Sequence, residues 1–366
     1  MADRKTKSGS AESERMRIAR LRHEGSMQER VKALGLFSGG LDSMLACRVL
    51  QEQGIEVVAY KFVSPFFDAG AAPRSARQLG IRLELVDVTD SYLQVLQKPR
   101  YGYGRNLNPC VDCHAFMFRL LGERLDAEGA RFLFSGEVLG QRPFSQNRSA
   151  LRAVARLSGF EGRIVRPLSA RLLEETEAER AGWVDRRRLL NIQGRSRRRQ
   201  MELAASYGLQ DFPSPAGGCL LTDLHFSRRL RDLLDHVPDP RPTELELLKV
   251  GRHIRVSPHA KVVVGRREEE NKRIAGLMAP GDVLLEVRGV PGPTVLWTGT
   301  GDPPWGEIEF AARIAVRYSD APPGVPCEVA WIGAGRGGGT LRVEACEEEE
   351  IRLRMVGFGK SAQSKD

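Results

Sequence analysis

Between residue 31 and about residue 168, short apolar runs alternate with stretches of amphipathic helical pattern. Runs rich in Val, Leu, Ile and Phe stand at 31–38, 56–63, 82–88, 131–137 and 163–168. Apolar strands that are separated by helices are typical of a parallel sheet covered on both faces. We therefore predict an α/β fold built on an open parallel sheet, whose first helix covers about residues 42–53. A further helix is predicted over about 115–127, after a loop that carries a CxxC, and the basic segment 174–235 is predicted to be helical.

The pattern changes after a proline-rich segment. Residues 237–244, VPDPRPTE, hold three prolines in eight residues and are the best candidate for a domain boundary. Beyond them, several short strands surround a helical segment at about 310–321, which predicts a second, smaller α+β domain. We expect a disordered leader over 1–30, a first domain over 31–236 and a second domain over 245–355.

Charge and hydropathy limit the kinds of partner. The 366 residues include 56 basic and 47 acidic side chains, a formal net charge of +9, which favours a polyanionic partner. No stretch approaches the roughly 18 apolar residues of a membrane span. The charged N-terminus lacks the apolar core of a secretory signal. We therefore predict a cytoplasmic protein with no membrane partner, in which disulfides are not expected.

A glycine-rich turn follows the first predicted strand. The segment SGGLDS at 38–43 lies where that strand gives way to a helix, so Gly39 and Gly40 allow close approach of a phosphate to the helix N-terminus. Ser38 and Ser43 add hydroxyl donors, and Asp42 suits a bound Mg²⁺ better than a bare phosphate. The segment is neither a Walker A loop nor a GxGxxG fingerprint. The alternative is a simple Gly-Gly turn in which Asp42 caps the helix.

A second cluster of candidate nucleotide contacts follows the fourth predicted strand. Gly136, Glu137 and Gln141 fall at the carboxyl edge of the sheet, where nucleotides bind in open α/β folds. Phe62, near the end of the second strand, is a candidate for contact with adenine, with core packing as the alternative.

These motifs together resemble a known superfamily. SGGLDS after the first strand is similar to the PP-loop of ATPases that cleave ATP between the α- and β-phosphates and adenylate a substrate. Within that superfamily, CVDCHAFMFRL at 110–120, GEVLGQRPFSQ at 136–146 and RPL at 166–168 resemble the catalytic domain of tRNA 4-thiouridine synthetases. The layout also resembles that of the 2-thiouridylases. The resemblance implies a Rossmann-like PP-loop domain that uses ATP and Mg²⁺ and acts on tRNA.

Three cysteines supply sulfur chemistry in this interpretation. Cys110 and Cys113 form the one CxxC of the chain, and Cys219 lies in the glycine-flanked turn SPAGGCLLTD. Thiolates of this kind carry sulfur as a persulfide or hold a 4Fe–4S cluster with an open iron position. A structural zinc site completed by His114, or inert buried thiols, are the alternatives. The other cysteines, at positions 47, 327 and 346, have no metal-binding spacing and are expected to pack in the core.

Basic residues predict where RNA binds. The arginine-rich stretch 186–199 offers side chains for contact with an RNA backbone; the candidates are Arg186, Arg187, Arg188, Arg197 and Arg198. The alternative is a solvated helix face that pairs with the acidic residues at 174–179. In the second domain, 260–271, 289–297 and 311–321 resemble the RNA-binding region of NFACT proteins, and Lys261 and Arg266 are its candidate RNA contacts.

The combined hypothesis is an ATP-dependent tRNA sulfurtransferase. Asp42 and the PP-loop would serve adenylation of a uridine, and the three cysteines would deliver the sulfur that replaces its carbonyl oxygen. We expect 4-thiouridine rather than 2-thiouridine, with sulfide or a persulfide carrier as the donor. Two alternatives remain: another PP-loop ligase similar to lysidine synthetase, or an RNA-binding adaptor whose ATPase fold is vestigial.

Overall fold

The computed structural model describes residues 30–214, 218–335 and 337–357. The predicted leader therefore lies almost wholly outside the described residues. Contacts divide the chain into two compact units. The first comprises the described residues of Met1–Lys61, Ala69–Val86 and His114–Pro215, and the second those of Phe62–Asp68, Asp87–Cys113 and Ala216–Asp366. Within the described part, no helix has the length and apolar character needed to cross a membrane.

Eleven strands are described. They are β1 (Lys32–Leu36), β2 (Glu56–Val63), β3 (Arg82–Asp87), β4 (Phe132–Ser135), β5 (Ile164–Val165), β6 (Arg252–Ser257), β7 (Ala260–Val264), β8 (Val283–Val287), β9 (Val295–Gly299), β10 (Cys327–Gly333) and β11 (Gly337–Val343).

Twelve α-helices are described alongside them. They are α1 (Leu41–Gln51), α2 (Ala72–Leu79), α3 (Thr89–Gln97), α4 (Cys110–Gly122), α5 (Arg148–Ser158), α6 (Glu177–Arg180), α7 (Arg198–Ser206), α8 (Leu224–His236), α9 (Pro242–Leu247), α10 (Glu268–Gly276), α11 (Trp305–Arg317) and α12 (Glu348–Arg352).

The predicted open parallel sheet is confirmed. Its strand order is β3-β2-β1-β4-β5, and β1 pairs in parallel with both β2 and β4. Ala33 and Leu34 of the central β1 are fully buried, as are Met44, Leu45 and Leu50 of α1. Because β1 is central, the turn that follows it opens at the carboxyl edge of the sheet, where the predicted phosphate loop lies.

The second predicted domain is also confirmed as α+β. Its antiparallel sheet has the order β11-β10-β8-β9-β7-β6. Helix α11 buries Ile308, Ala312 and Ala315 in a core that includes Val262 and Trp297. A smaller cluster on other strand positions packs Val263 and Leu296 against Leu247 and Ile274. Strand β7 is thus buried along its whole length.

Two local predictions were wrong. The helix expected from about residue 115 begins at Cys110, because the Pro109 carbonyl already accepts the Cys113 amide at 2.8 Å. The CxxC therefore occupies the first helical turn rather than a loop. The arginine-rich stretch is also not one helix: Arg186–Arg188 form a 3₁₀ turn, and α7 starts only at Arg198.

Candidate active site

The turn after β1 has a backbone that only glycine tolerates. Gly39 has φ +76°, and a Cβ there would lie 2.5 Å from the Ala72 amide nitrogen. The Gly39 carbonyl accepts a hydrogen bond from the Ser75 hydroxyl at 2.8 Å, which ties the turn to α2. Gly40 is extended and precedes α1 without any side-chain cap. The first amides of α1 are therefore open to an anion, as the sequence predicted.

The two serines of the turn order each other. The Ser43 hydroxyl donates to the Gly40 carbonyl at 2.7 Å, and the Ser38 hydroxyl donates to Ser43 Oγ at 3.3 Å. The Gly40 amide in turn donates to Ser38 Oγ at 3.2 Å. These bonds hold both hydroxyl groups beside the open helix N-terminus, and a phosphate oxygen that accepts from either hydroxyl would replace the acceptor that it has in this structure.

Gly136 allows the loop after β4 to pass against the start of α1. A Cβ at Gly136 would lie 2.5 Å from the carbonyl of Asp42 and from the amide nitrogen of Ser43. On the same loop, Gln141 Nε2 donates to Asp42 Oδ2 at 2.7 Å. Gln200 Nε2 donates to Gln141 Oε1 at 3.1 Å, a partner that the sequence did not reveal.

Asp42 keeps one oxygen for another ligand. While Gln141 holds Oδ2, Oδ1 is buried and has no hydrogen-bond partner among the described residues. A buried carboxylate oxygen without a partner is costly unless a cation or a donor completes it. Asp42 thus fits the Mg²⁺ that the sequence predicted here, since hard cations prefer carboxylate oxygens.

Glu137 is engaged inside the protein. Its carboxylate pairs with Arg166 Nε at 2.9 Å and with His114 Nδ1 at 2.9 Å, and accepts from the Ser135 hydroxyl at 3.0 Å. Burial opposes ionisation of Glu137, but Arg166 and then His114 outweigh it and lower its pKa to about 2. Glu137 therefore anchors the 136–141 loop in this structure. His114 belongs to this network rather than to the CxxC site.

The side chain of Phe62 is 2% exposed. Contact with adenine is therefore corrected to core packing, the alternative that the sequence left open. Position 62 is a buried position of β2, whose residues 57–60 are also all buried, and burial in the core is sufficient reason for an aromatic side chain there.

The three candidate cysteines lie in the second unit and gather around one tyrosine. Tyr92 of α3 is fully buried, and its hydroxyl interacts with the Cys113 side chain and lies within electrostatic range of Cys219 and Cys110. Burial first, and then these sulfur groups, raise the pKa of Tyr92 well above its ordinary value. No sequence motif predicted that Tyr92 would contact these cysteines.

Hydrogen bonds to backbone carbonyls hold the segment after Cys219 against the loop before the CxxC. The loop before α4 binds the segment after Cys219 twice: Leu107 N donates to the Leu221 carbonyl at 3.3 Å, and Asn106 Nδ2 donates to the Thr222 carbonyl at 2.7 Å. Cys110 Sγ donates to Asn108 Oδ1 at 3.0 Å. Cysteines that are distant in sequence are thus held on one side of the second unit.

The described residues hold no group of three His, Cys, Asp or Glu side chains close enough for a single metal ion. This finding argues against the zinc alternative. An iron–sulfur cluster spaces its ligands more widely, because the cluster itself occupies the centre between them. The three cysteines supply the thiolate donors that such a cluster with one open iron position needs.

The remaining cysteines differ in exposure. Cys47 and Cys346 are buried, and burial raises the pKa of both thiols, as expected for packed residues. Cys327 was also expected in the core, but it is only half-buried at the start of β10.

The arginine-rich stretch divides into structural and exposed members. Arg186 pairs with the fully buried side chain of Glu179 and donates to the Leu173 carbonyl at 2.9 Å. For this residue, the alternative of pairing with the acidic residues at 174–179 is therefore the one that the structure supports. Arg187 and Arg198 are 91% and 87% exposed and make only local surface ion pairs. Such pairs are weak, at roughly 0–1 kcal/mol, so a phosphate replaces them readily.

Two further arginines of this stretch occupy intermediate positions. Arg188 lies at the protein surface, and its Nη2 donates to the Glu52 carbonyl oxygen over 2.6 Å. Arg197 is half-buried, and its Nε has no hydrogen-bond partner among the described residues. RNA contact thus stays a prediction for four arginines of this stretch: Arg187, Arg188, Arg197 and Arg198.

Lys261 does not reach the surface. It is 2% exposed on β7, and Nζ has no hydrogen-bond partner within the described part of the chain. Its prediction as an RNA contact was therefore wrong. The reason is the sheet: β7 is covered on both faces, so its one charged residue is buried with its apolar neighbours. Arg266, by contrast, is 42% exposed while it pairs with Glu270 at 2.6 Å.

We expect Lys261→Met to stabilise the folded protein by roughly 1–3 kcal/mol without changing RNA affinity. Burial first, and Arg255 second, lower the pKa of Lys261 to about 8, against 10.5 for the free side chain. A lysine whose folded-state pKa is lowered destabilises the fold most below pH 8, and this penalty disappears as pH rises through 10.5. The stability gain should therefore shrink over that interval in denaturation curves. Loss of RNA affinity in the variant would contradict the correction.

Comparisons with known proteins match two separate parts of the chain. Residues 31–153 match the profile of the tRNA methyl transferase HUP domain, and residues 251–354 that of the NFACT protein RNA binding domain. The chain is 33% identical over 110 residues to the tRNA-specific 2-thiouridylase MnmA of Pelobacter propionicus, which covers 27% of this chain and 31% of the relative. It is 35% identical over 107 residues to a 2-thiouridylase MnmA 3 of Bacteroides fragilis, covering 27% and 28%.

These alignments span about a third of the length of the curated relatives. A solved 4-thiouridine synthetase in complex with RNA and ATP is 28% identical, covers 37% of this chain and 36% of its own, and has a TM-score of 0.30. Residues 31–153 are thus similar to a domain found in tRNA-modifying enzymes, among them the 2-thiouridylases, and residues 251–354 are similar to the NFACT RNA-binding domain.

Proposed function

We propose that this protein is an ATP-dependent tRNA sulfurtransferase, which replaces a carbonyl oxygen of a uridine with sulfur. The observation that carries the proposal is the presence, in one chain, of an open phosphate turn with a half-satisfied Asp42 and of three cysteines gathered around Tyr92. The first set of residues serves adenylation and the second serves sulfur transfer.

In the first half-reaction, the uridine oxygen attacks the α-phosphorus of ATP, and pyrophosphate leaves. The phosphate oxygens bind to the first backbone amides of α1, which follow Gly40, and to the hydroxyl groups of Ser38 and Ser43. Asp42 would hold Mg²⁺, which when bound would neutralise charge on the phosphates. Gln141 orients the Asp42 carboxylate through its bond to Oδ2, so the second oxygen faces the ligand.

In the second half-reaction, a sulfur nucleophile attacks the activated uridine carbon, and the C–O bond to AMP breaks. Cys110, Cys113 and Cys219 would hold a 4Fe–4S cluster, which supplies an open iron position for hydrosulfide when bound. Tyr92 is the buried side chain with which all three cysteines interact. In the persulfide alternative, one of these cysteines carries the sulfur and the protein works without iron.

The RNA partner follows from charge and from the C-terminal domain. The net charge of +9 favours a polyanion, and residues 251–354 match an RNA-binding domain. Arg187, Arg188, Arg197, Arg198 and Arg266 are the proposed backbone contacts that remain after the correction of Lys261.

The test is mass spectrometry of nucleosides from the tRNA of cells with and without the gene. Selective loss of a thiouridine supports the function and identifies the atom: loss of 4-thiouridine agrees with the sequence resemblance, and loss of 2-thiouridine with the names of the curated relatives. An unchanged thionucleoside profile together with loss of another tRNA modification would favour a different PP-loop ligase. No change in any modification would favour the adaptor.

A further inference from the structure

A cavity of about 420 Å³ opens within the second unit, between the segment that begins α8 and the residues that follow α9 and β7. Leu220, Phe226 and Leu248 form its apolar wall, and the polar residues that line the rest are Asp223, His225, Arg229, Lys249 and Arg266. No role has been given to this cavity so far. Its three cationic side chains and its apolar wall suit an anion that carries an organic group.

Arg229 is the least compensated of the three cations. It is half-buried on α8 and donates Nη1 to the Leu248 carbonyl at 2.9 Å. No carboxylate pairs with it among the described residues. Burial first, and the nearby Arg266 second, lower the pKa of Arg229, which means that its charged form is held at some cost. An anion in the cavity would offset that cost.

The carboxylates around the cavity are committed to other partners. Asp223 lines it as well, but its Oδ1 caps α8 by accepting the Phe226 amide at 2.7 Å. Glu270 is 7% exposed and receives both Nε and Nη2 of Arg266, whose guanidinium is the more exposed partner at 42%. Among the residues that line the cavity, three cationic side chains therefore stand against one carboxylate, that of Asp223.

Lys249 is the third cation, and its charge can be removed by mutation with little effect on folding stability. Its Nζ lies 2.6 Å from Glu246, and that carboxylate also pairs with Arg273 at 2.8 Å. Loss of the Lys249 charge would thus leave Glu246 paired.

The cavity lies beside the cysteine site. Leu220, on its apolar wall, directly follows Cys219 and donates its amide to the Phe66 carbonyl at 3.0 Å. The rings of Phe66 and Tyr92 are 5.8 Å apart between centroids. A group bound in the cavity is therefore a neighbour of the sulfur-bearing residues.

We propose that this cavity binds a backbone phosphate of the tRNA substrate through Arg229, Lys249 and Arg266, and so brings an adjacent nucleotide to Cys219. The ribose of the bound nucleotide would lie against Leu220 and Leu248. This inference rests on the proposed function, because it identifies how the sulfur site receives its RNA.

The test measures tRNA affinity at several salt concentrations, without ATP, for Arg229→Gln and Lys249→Gln. Each variant should bind tRNA about tenfold more weakly, and its slope of log K against log salt should fall by about one. Arg342→Gln is the matched control, since Arg342 is an exposed arginine of the same domain that does not line the cavity. It should change neither value. Thermal denaturation of each variant separates lost binding from lost folding; if Arg229→Gln does not fold, Lys249→Gln decides.

Unchanged tRNA affinity and salt slope in the folded variants would overturn the proposal. So would tight binding of inorganic phosphate that both variants abolish while tRNA affinity stays normal, because the cavity would then serve a free anion. Because the measurement needs no catalysis, weakened tRNA binding would support the cavity even if no thiolation were found, in which case only the proposed function would fail.

Discussion

Cys219→Ser is expected to reduce tRNA thiolation at least a hundredfold while ATP binding stays normal. Three cysteines around Tyr92 provide the minimum set that holds a cluster with one open iron position, and a serine hydroxyl is a poor substitute for a thiolate ligand. Cys219 is half-buried, so the exchange should leave the fold intact. The PP-loop and Asp42 are unchanged, so adenylation chemistry should retain its binding site.

The comparison needs three measurements on the same preparations: thiolation rate, iron per protein and ATP affinity. Cys113→Ser should behave in the same way as Cys219→Ser. Cys327→Ser is the control, because Cys327 is also half-buried but stands at the start of β10. Loss of activity together with iron supports the cluster, and loss of activity in an iron-free protein supports the persulfide alternative. Full thiolation in both Cys113→Ser and Cys219→Ser would disprove the assigned sulfur chemistry.

Gly136→Ala is expected to weaken ATP binding by about ten- to a hundredfold, which corresponds to roughly 1.4–2.7 kcal/mol. Its new methyl group would lie 2.5 Å from backbone atoms of Asp42 and Ser43, and no side-chain rotation relieves a contact between a Cβ and backbone. The start of α1 must shift, and the amides, Ser43 and the Asp42 carboxylate move with it.

ATP affinity is measured by calorimetry in the presence of Mg²⁺, with thermal denaturation as a check on folding. Gly306→Ala is a suitable control, because a Cβ at Gly306 meets nothing within 4 Å. If Gly136→Ala does not fold, Asp42→Asn tests the same site by removing the charge at nearly constant shape. Normal Mg²⁺-dependent ATP binding in both variants would show that the nucleotide does not bind at this turn.

The parts of the site that follow from local sequence were predictable. The Gly-Gly turn between β1 and α1 follows from local sequence, because Gly39 has a positive φ and a close backbone contact that other residues do not allow. Phosphate binding at this turn stays a prediction. The strand-helix alternation likewise predicted the parallel sheet. In both cases the responsible forces act between residues close in sequence.

The parts that depend on distant contacts were not predictable. Arg186 appeared to be one of several equivalent arginines, but a buried Glu179 gives it a structural role. Lys261 has apolar neighbours on its C-terminal side, a pattern that is compatible with an exposed charge on an edge strand as well as with a buried one inside a sheet. Only the strand order, with β7 between β6 and β9, distinguishes these cases.

Tyr92 and Gln200 illustrate a second reason why parts of the candidate sites could not be predicted from the sequence. Neither residue type signals chemistry by itself. Tyr92 lies outside the motifs, and Gln200 directly follows the arginine-rich stretch, which predicts RNA contact rather than a bond to Gln141. They join the site because helices α3 and α7 bring them to Cys113 and to Gln141, respectively. Residues that support a site from a distant element become visible only with the fold.

The central claim is that the uridine oxygen leaves as part of AMP. The most direct measurement is a single-turnover reaction of the purified protein with ATP, Mg²⁺, sulfide and tRNA whose uridine carbonyl oxygens carry a heavy isotope. Mass spectrometry should find one thiouridine formed for each AMP, and the heavy oxygen in the phosphate of that AMP. Unlabelled AMP, or cleavage of ATP to ADP and phosphate, would contradict the account.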